Sequence, residues 1–347
     1  GCDGCNGEND TSKTTVAIVA TVAEEGRQHD LPRPPSPSKN PQSLRWMRVA
    51  MVAAVVCCVV SGSVFWLWRS ERQGKHEIAR VEIPIVPGER RAVLVLDNGQ
   101  RVKLSGGSEL KVEEKSTVIS IKDNHIVYSR EDSLKIEAVN RVYTPRGGEY
   151  SLELSDGTIV WLNAESELSY PVRFKNDCRE VEVNGEAYFE VAKCVDRPFI
   201  VNANGMRIRV LGTSFNVRAY EGEERQTTLV EGCVEVAYGE QRVKINPGQQ
   251  VALNNGHLEV RQDIHIYSGW KSGRFVFEDH PLAEVLRELE RWYDVQIVVE
   301  DERVEQLKFT SDFPRYEDID KVLDIIELAT CVKFEVRGRT ITVRMAE

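Results

Sequence analysis

Apolar and polar residues alternate in short segments from about residue 79 to residue 263. Turn residues interrupt the alternation about every 8–12 positions, and a period of two is typical of strands with one buried face. No helical period of useful length interrupts this pattern, so it predicts an all-β barrel, sandwich or roll. Four dipeptides predict hairpin turns, because glycine readily adopts the positive φ that these turns need: Asn98-Gly99, Asp156-Gly157, Asn184-Gly185 and Asn255-Gly256.

The segment LSDGTIVWLNAESELSYP, residues 154–171, contains one of these turns between two alternating apolar segments. It predicts a hairpin rather than a loop that carries chemistry. It also shares the pattern L-x-[DN]-G-x-x-V-x-L with LDNGQRVKL, which fits either an internal repeat or two hairpins with the same turn chemistry. Period two places Leu152, Leu154, Val160 and Leu162 on one face, with Glu153, Ser155 and Trp161 on the other.

The hydrophobic period changes from Gly273 onward. RFVFED predicts a strand, and helical spacing then predicts a helix from about Pro281 to Tyr293, capped by Asp279. VQIVV and LKFTS predict strands, residues 319–326 predict a second amphipathic helix, and VKFEV and TITVR predict two final strands. The order β-α-β-β-α-β-β predicts a small α+β domain with both helices on one sheet face.

A segment of twenty uncharged residues, Val49–Trp68, reads VAMVAAVVCCVVSGSVFWLW. As a helix it rises about 30 Å, which matches the hydrocarbon core of a bilayer. Tryptophans lie at both of its ends, where indole rings favour the membrane interface. Its length and the polar stretch before it favour a single transmembrane helix over a signal peptide. Lys and Arg residues near the two ends are equal in number, so their charge predicts no orientation.

Residues 1–48 are polar, and PRPPSPSKNP within them is typical of extended, disordered chain. Cys2 and Cys5 form a lone CxxC pair, and a zinc site needs a second pair, so we expect no metal and no cofactor. The predicted organisation is therefore a largely disordered tail over 1–48, a transmembrane helix over 49–68, an all-β domain over 69–263 and an α+β domain over 274–347.

The charge of the chain argues against a nucleic-acid partner. The sequence has 45 basic and 55 acidic residues, a net charge of −10, and this charge lies downstream of the tail. Binding to phosphates needs a basic face instead.

Motifs of conventional enzymes are also missing, since no nucleophile elbow, phosphate-binding loop or dinucleotide motif follows a predicted strand. The pattern indicates a binding protein rather than an enzyme. His280 fits a solvated or capping residue, and solvated loop and helix faces fit the acidic residues Glu221, Glu223, Glu224, Glu284, Glu288 and Glu290.

The cysteines beyond the predicted membrane helix allow two interpretations. Cys178 and Cys194 flank Asn184-Gly185, and a hairpin there would place them opposite each other, which permits a disulfide outside the cytoplasm. The other interpretation is that these two, together with Cys233 and Cys331, are unpaired thiols that pack as small hydrophobic side chains.

Several motifs occur in an order and spacing that resemble the FecR family of membrane-bound anti-sigma regulators, over residues 80–345. The part from residue 274 also resembles the short signalling domain at the N-terminus of secretins and TonB-dependent receptors. The motifs are TPRGGEYSLELSDGTIVWLNAESELSYPVRF, VNGEAYFEVAK, RPFIV, VLGTSFNVRAY, TTLVEGCVEV, INPGQQ and SGWKSGRFVFEDHPLAEVLRELERWYDVQIV.

This resemblance implies a single pass through the inner membrane, with the N-terminus in the cytoplasm and the β-domain in the periplasm. It implies two partners: the signalling domain of an outer-membrane TonB-dependent receptor and a cytoplasmic extracytoplasmic-function sigma factor. The family's cytoplasmic region is usually longer and helical, and residues 1–47 show no such apolar face. Either sequence upstream supplies that face, or a disordered segment folds on binding. The alternative function is an envelope adaptor or scaffold that binds a receptor without a sigma factor.

Two further expectations concern the C-terminal domain. An edge strand, Thr340–Arg344 or Val295–Val299, is a plausible docking surface, because a partner strand can extend an open sheet edge. Trp270 and Trp292 fit packing in a core or between domains better than exposed binding residues.

The family also suggests a chemical step at Gly212-Thr213, within VLGTSFNV. Some relatives cleave themselves at a Gly-Thr bond, where the Thr hydroxyl attacks the Gly carbonyl in an N-to-O acyl shift. The other interpretation is structural, with Gly212 forming a bend that leads into a strand.

Overall fold

The computed structural model describes residues 84–105, 138–262 and 269–346, the backbone of 110–114, 117–122 and 125–128, and four helical positions between 51 and 63. Residues 80–347 belong to one compact unit. The predicted tail and most of the predicted membrane helix lie outside the described residues. Within the part of the chain that is described, no helix combines the length and the hydropathy needed to cross a bilayer.

The first part of the described chain consists of strands, and we call residues 89–261 the β-domain. The strands run β1 (Glu89–Val95), β2 (Arg101–Ser105), β3 (Leu110–Glu114), β4 (Thr117–Lys122), β5 (His125–Tyr128), β6 (Val139–Thr144), β7 (Gly148–Glu153), β8 (Ile159–Leu162), β9 (Ser166–Pro171), β10 (Arg179–Glu190), β11 (Phe199–Ala203), β12 (Met206–Val210), β13 (Ser214–Ala219), β14 (Arg225–Glu231), β15 (Val234–Tyr238), β16 (Gln241–Ile245), β17 (Gln250–Asn254) and β18 (His257–Arg261).

Fifteen of these strands form one continuous sheet. Its main path runs β16-β15-β12-β11-β10-β8-β7-β1-β6-β9, and β9 pairs again with β10. The second pairing closes a ring of six strands and makes the sheet barrel-like. Four strands, β13, β14, β17 and β18, extend the sheet from β10, while β3, β4 and β5 form a small sheet of their own. The predicted all-β character of this region is confirmed.

The two similar hairpins have the same local geometry. In the first, the amide of Gly99 donates to the carbonyl of Leu96 over 2.8 Å, and in the second the amide of Gly157 donates to that of Leu154 over 2.9 Å. The side chains predicted to share one face of the second hairpin are all buried. The hairpin prediction for residues 154–162 is therefore confirmed.

A buried ion pair fixes the turn between β7 and β8. The Nη1 of Arg179 lies 2.8 Å from Oδ2 of Asp156, and both side chains are at most 5% exposed. Arg179 also donates to the carbonyls of Ala192 and Arg197, over 2.7 and 3.0 Å. Asp156 accepts from the amide and the hydroxyl of Thr158. These partners offset the cost of burying two charges and tie the turn to both ends of β10.

The hairpin predicted at Asn184-Gly185 is wrong, because both residues lie inside the long strand β10. The first half of β10 pairs with β9 and β11, and its second half pairs with β8 and β13. Gly185 has φ 94°, and a Cβ at this position would lie 2.5 Å from Oγ of Ser166. The dipeptide therefore lets one strand change its pairing partners without forming a turn.

The described residues from 274 form the C-terminal module, which has its own hydrophobic core. Its element order confirms the predicted order, but its strands form a two-stranded sheet, β19-β21, and a three-stranded sheet, β20-β23-β22, rather than one sheet. A 3-10 helix, Trp270–Ser272, precedes the module, and another, Glu302–Gln306, lies within it. The elements are β19 (Arg274–Pro281), α1 (Leu282–Tyr293), β20 (Gln296–Val299), β21 (Lys308–Pro314), α2 (Ile319–Ala329), β22 (Val332–Arg337) and β23 (Thr340–Met345).

The sequence predicts that Asp279 caps α1, and this prediction is wrong. The residue before α1 is Pro281, and no side chain caps the helix. Asp279 lies in a bulge of β19 with φ 49°, and its amide donates to Oγ1 of Thr310. His280 follows it in the strand and is buried rather than solvated. The strand thus continues through the predicted cap, because the bulge absorbs the turn-forming residue.

Candidate interdomain interface

Charged side chains of the β-domain and of α1 meet in a buried cluster. Arg218, on β13, lies 2.8 Å from Glu223 and 3.1 Å from Glu288 of α1. Arg291, also on α1, lies 2.5 Å from the other carboxylate oxygen of Glu223. Glu186 of β10 lies 3.4 Å from the same guanidinium of Arg218. The cluster therefore joins the two parts through alternating charges.

Electrostatics keeps the Glu223 carboxylate of this cluster ionised. Burial alone would raise the pKa of the Glu223 carboxyl, but Arg218 and Arg291 outweigh it and hold that pKa below its ordinary value. Burial raises the pKa of the Tyr220 hydroxyl, which donates to the carbonyl of Ala164 over 2.8 Å. The guanidinium of Arg291 lies 4.0 Å from the centre of the Tyr220 ring, within cation–π distance. At neutral pH, a neutral phenol and ionised partners of opposite sign hold this interface together.

The 3-10 helix before the module covers the outer face of the β-domain. The Nε1 of Trp270 donates to Oδ1 of Asn216 over 3.3 Å. The ammonium group of Lys271 lies 4.0 and 4.4 Å from the ring centres of Trp161 and Tyr188. Trp161 is thus outward-facing, as predicted, and it contacts the module's leading helix. The expectation that Trp270 packs between domains is confirmed.

Arg315, directly after β21, forms a second buried contact. Its guanidinium stacks 3.7 Å above the ring of Trp292, donates to Oδ1 of Asn163 and lies 3.8 Å from Glu149. Burial lowers the pKa of Arg315. The hydroxyl of Tyr316 donates to Glu149 over 2.6 Å, and burial with this hydrogen bond raises its pKa to about 12. The carboxylate of Glu149 in the β-domain therefore contacts two side chains of the module, Arg315 and Tyr316.

The turn between β6 and β7 binds the C-terminal end of α1. The amide of Gly147 donates to the carbonyl of Arg291 over 2.7 Å. The guanidinium of Arg146 donates to the carbonyls of Glu290 and Val295, over 2.8 and 2.6 Å. The last carbonyls of a helix lack partners within the helix, and Gly147 supplies one for Arg291, while Arg146 adds a donor to the Glu290 carbonyl, which also accepts from the amides of Asp294 and Val295. The helix end is therefore held by the β-domain.

The interface is suited to holding two folded parts in a fixed arrangement. Beside it lies a cavity of about 250 Å³, whose walls include Trp161, Trp270, Lys271 and Tyr316. Across the residues with described positions, no three His, Cys, Asp or Glu side chains are grouped so that they could hold a metal ion. The contacts consist of ion pairs, hydrogen bonds and stacked rings.

Sequence reasoning missed most of these residues. Glu223 and Glu288 were expected on solvated faces, yet both take part in the buried cluster. Glu290 accepts from the amide of Ile297. Their partners are distant in sequence, because Glu223 and Arg291 are 68 residues apart. At helical spacing Arg291 lies on the side of α1 opposite Leu282, Leu286 and Tyr293, so no local pattern indicated that this charge is buried.

The Gly212-Thr213 bond lies between β12 and β13. Thr213 is buried, and its hydroxyl donates to the carbonyl of Cys233 over 3.1 Å. A Cβ on Gly212 would lie 2.8 Å from Cα of Lys193. The close approach of these two chain segments therefore requires a residue without a side chain at this position. Self-cleavage at this bond stays a prediction.

The four cysteines of the described region are all free thiols: Cys178, Cys194, Cys233 and Cys331. The disulfide between Cys178 and Cys194 is not formed, and the hairpin on which it depended is absent. Two thiols are exposed rather than buried, namely Cys233 and Cys331. Hydrogen bonds from Arg197 lower the pKa of Cys194, while burial raises the pKa of Cys178.

Comparisons with known proteins agree with this architecture. Residues 140–235 match the family described as FecR protein, and residues 274–343 match the one described as FecR, C-terminal. Two crystal structures of a candidate anti-sigma factor from Parabacteroides distasonis ATCC 8503 are similar, each with 29% identity and a TM-score of 0.57. They cover 60% of this chain and 100% and 99% of their own chains. No curated protein matches the sequence.

Proposed function

The chain belongs to the FecR family of anti-sigma regulators, and from this premise we propose that it relays a signal from a TonB-dependent outer-membrane receptor to an extracytoplasmic-function sigma factor. In this proposal residues 49–68 cross the inner membrane once, the tail before them lies in the cytoplasm, and the body from residue 69 lies in the periplasm. The receptor's signalling domain binds the C-terminal module, and the sigma factor binds the tail. The chain acts by binding and not by catalysis.

The observation that supports a relay most strongly is the contact between the module and the β-domain. A signal passes between two sites only if a bound partner favours one arrangement of the parts between them. The interface of Arg218, Glu223, Glu288 and Arg291 is such a connection, because its largely buried charges form ion pairs between the β-domain and α1. Paired buried charges tolerate small displacements poorly, so the interface favours one arrangement over intermediate ones.

The receptor would bind the open edge at β22. Of the two strands expected as docking edges, residues 340–345 form β23, which lies in the middle of its sheet and cannot accept a partner strand. Among the described residues, β20 and β22 are the edges of this sheet. β22 has six residues against four in β20, and each strand has one backbone amide already bonded to a glutamate side chain, Phe334 to Glu327 and Ile297 to Glu290. A partner strand therefore has more free backbone at β22.

A pair of matched substitutions tests this assignment. Val336 on β22 and Val298 on β20 are 42% and 38% exposed. We expect Val336→Lys to weaken binding of a receptor signalling domain by at least about tenfold, or ~1.4 kcal/mol, because a charge replaces an apolar contact at the docking edge. Val298→Lys should leave binding unchanged. Isothermal titration of the full chain with the purified signalling domains of TonB-dependent receptors from the source organism measures both.

Three results would contradict the proposal. Equal losses in both variants would show that the two edges are not distinguished, and unchanged binding in Val336→Lys would remove β22 from the contact. If no receptor domain binds the unmodified chain, the receptor side of the relay is wrong.

A further inference from the structure

We infer that the C-terminal module also holds the chain segment that leads into the β-domain, so that this segment is fixed only while α1 is in place. The leading segment comprises residues 84–88, directly before β1, whose own first residues, Glu89 and Arg90, pair with β7. In sequence it is the last part of the connection between the predicted membrane helix and the folded body. The inference concerns a contact inside the molecule, and its role in signalling rests on the proposed function.

The first contact of the leading segment is apolar. Ile85 packs against the core of the C-terminal module, although it precedes the first strand of the β-domain. Val86, the next residue, is 60% exposed. Neighbouring side chains of an extended segment point to opposite sides, so the segment presents one side to the module and the other to solvent.

The second contact is a close approach to Trp292 of α1. A Cβ on Gly88 would lie 2.5, 2.6 and 2.8 Å from three atoms of the indole ring. These distances are too short for any side chain, and Gly88 does not have a positive φ. Space rather than backbone conformation therefore requires glycine here. The ring of Trp292 is fully buried and its Nε1 donates to the carbonyl of Arg315 over 2.7 Å, so it cannot easily turn away.

Backbone hydrogen bonds complete the connection. The amide of Glu89 donates to the carbonyl of Gly147 over 2.9 Å, and the amide of Gly147 donates to that of Arg291 over 2.7 Å. Arg91 donates to the carbonyl of Arg146, which in turn binds the end of α1. The leading segment, the β6–β7 turn and α1 thus form a continuous chain of contacts.

This arrangement gives the module a direct effect on the leading segment. A displacement of α1 removes the indole ring from Gly88 and the helix carbonyls from Arg146 and Gly147, so the segment loses its supports together. A receptor domain that moves the module would therefore release or shift the chain that leads toward residue 83. Packed surfaces of this kind change between discrete arrangements rather than deforming gradually.

Hydrogen exchange measured by mass spectrometry on the full chain tests the contact without any partner. Gly88→Val forces a side chain into the space of the indole ring, and overpacking of this kind destabilises the packed contact. We expect exchange in residues 286–293 of α1 to rise at least about tenfold, which corresponds to ~1.4 kcal/mol. Peptides of 179–190, in the core of the β-domain, should exchange as before, which shows that the β-domain remains folded.

A second pair of variants keeps the test decisive if Gly88→Val does not fold. Ile85→Asp should raise exchange in the same helix residues, whereas Val86→Asp, one position along and on the exposed side, should not. Increased exchange confined to residues 84–95, or equal effects of the two aspartates, would overturn the inference. Receptor binding is not part of this measurement, so a failure here is distinct from a failure of the proposed relay.

Discussion

Replacing Arg179 with alanine should lower the free energy of unfolding of the β-domain by about 3–5 kcal/mol. The substitution leaves the carboxylate of Asp156 buried without its cation, and it removes the donors to the carbonyls of Ala192 and Arg197. Losing one partner of a buried pair is costly because the remaining charge keeps its desolvation penalty. Urea denaturation of the full chain, followed by far-ultraviolet circular dichroism, measures the change.

An exposed ion pair provides the control for this prediction. Arg337 lies 2.5 Å from Glu335, but their side chains are 75% and 56% exposed. Arg337→Ala should therefore change the free energy of unfolding by less than about 1 kcal/mol. The double variant Arg179→Ala/Asp156→Ala should lose less than the sum of the two single losses. Additive losses would show that the two charges do not depend on each other.

Replacing Trp292 with alanine should destabilise the C-terminal module by about 3–5 kcal/mol. The ring is fully buried, donates a hydrogen bond to Arg315 and stacks against its guanidinium. The alanine variant therefore loses apolar burial and leaves Arg315 with fewer partners. Because the two parts have separate cores, the loss should affect exchange of module amides before amides of the β-domain.

Trp292→Phe is the matched control, since it keeps an aromatic ring but cannot donate the hydrogen bond. Its loss should be clearly smaller than that of the alanine variant. Equal stability of Trp292→Ala and the unmodified chain, measured by urea denaturation with hydrogen exchange of residues 274–346, would contradict the role given to this ring.

Local patterns predicted the local elements well. Alternation and turn dipeptides located the hairpins around Asn98-Gly99, Asp156-Gly157 and Asn255-Gly256, because their hydrogen bonds join residues close in sequence. The same reasoning failed at Asn184-Gly185, where the neighbouring strands decide that β10 continues. At Asp279 it failed for a similar reason, since pairing with β21 extends β19 through the expected cap. A turn-forming dipeptide allows the chain to turn, but pairing with neighbouring strands decides whether a turn or a continuous strand forms.

Long-range order was beyond this reasoning. The middle position of β23 in its sheet follows from parallel pairing with β20 and antiparallel pairing with β22, and no local pattern records that order. The contacts between the two parts are similar, because Arg315 and Asn163 are 152 residues apart. From the sequence, Glu223 and Glu288 are expected to be exposed to solvent. Only the folded structure shows that arginines distant in sequence pair with them. Conversely, the inward orientation of Trp270 and Trp292 was predictable from their size and apolar character.

The most direct test of the anti-sigma relay is co-purification of the full chain from cells of the source organism, with bound proteins identified by mass spectrometry. The account predicts that an extracytoplasmic-function sigma factor is recovered with the full chain and is lost when only residues 80–347 are used. The periplasmic envelope-adaptor alternative predicts no sigma factor with either. Recovery of no sigma factor, or equal recovery with residues 80–347 alone, would contradict the account.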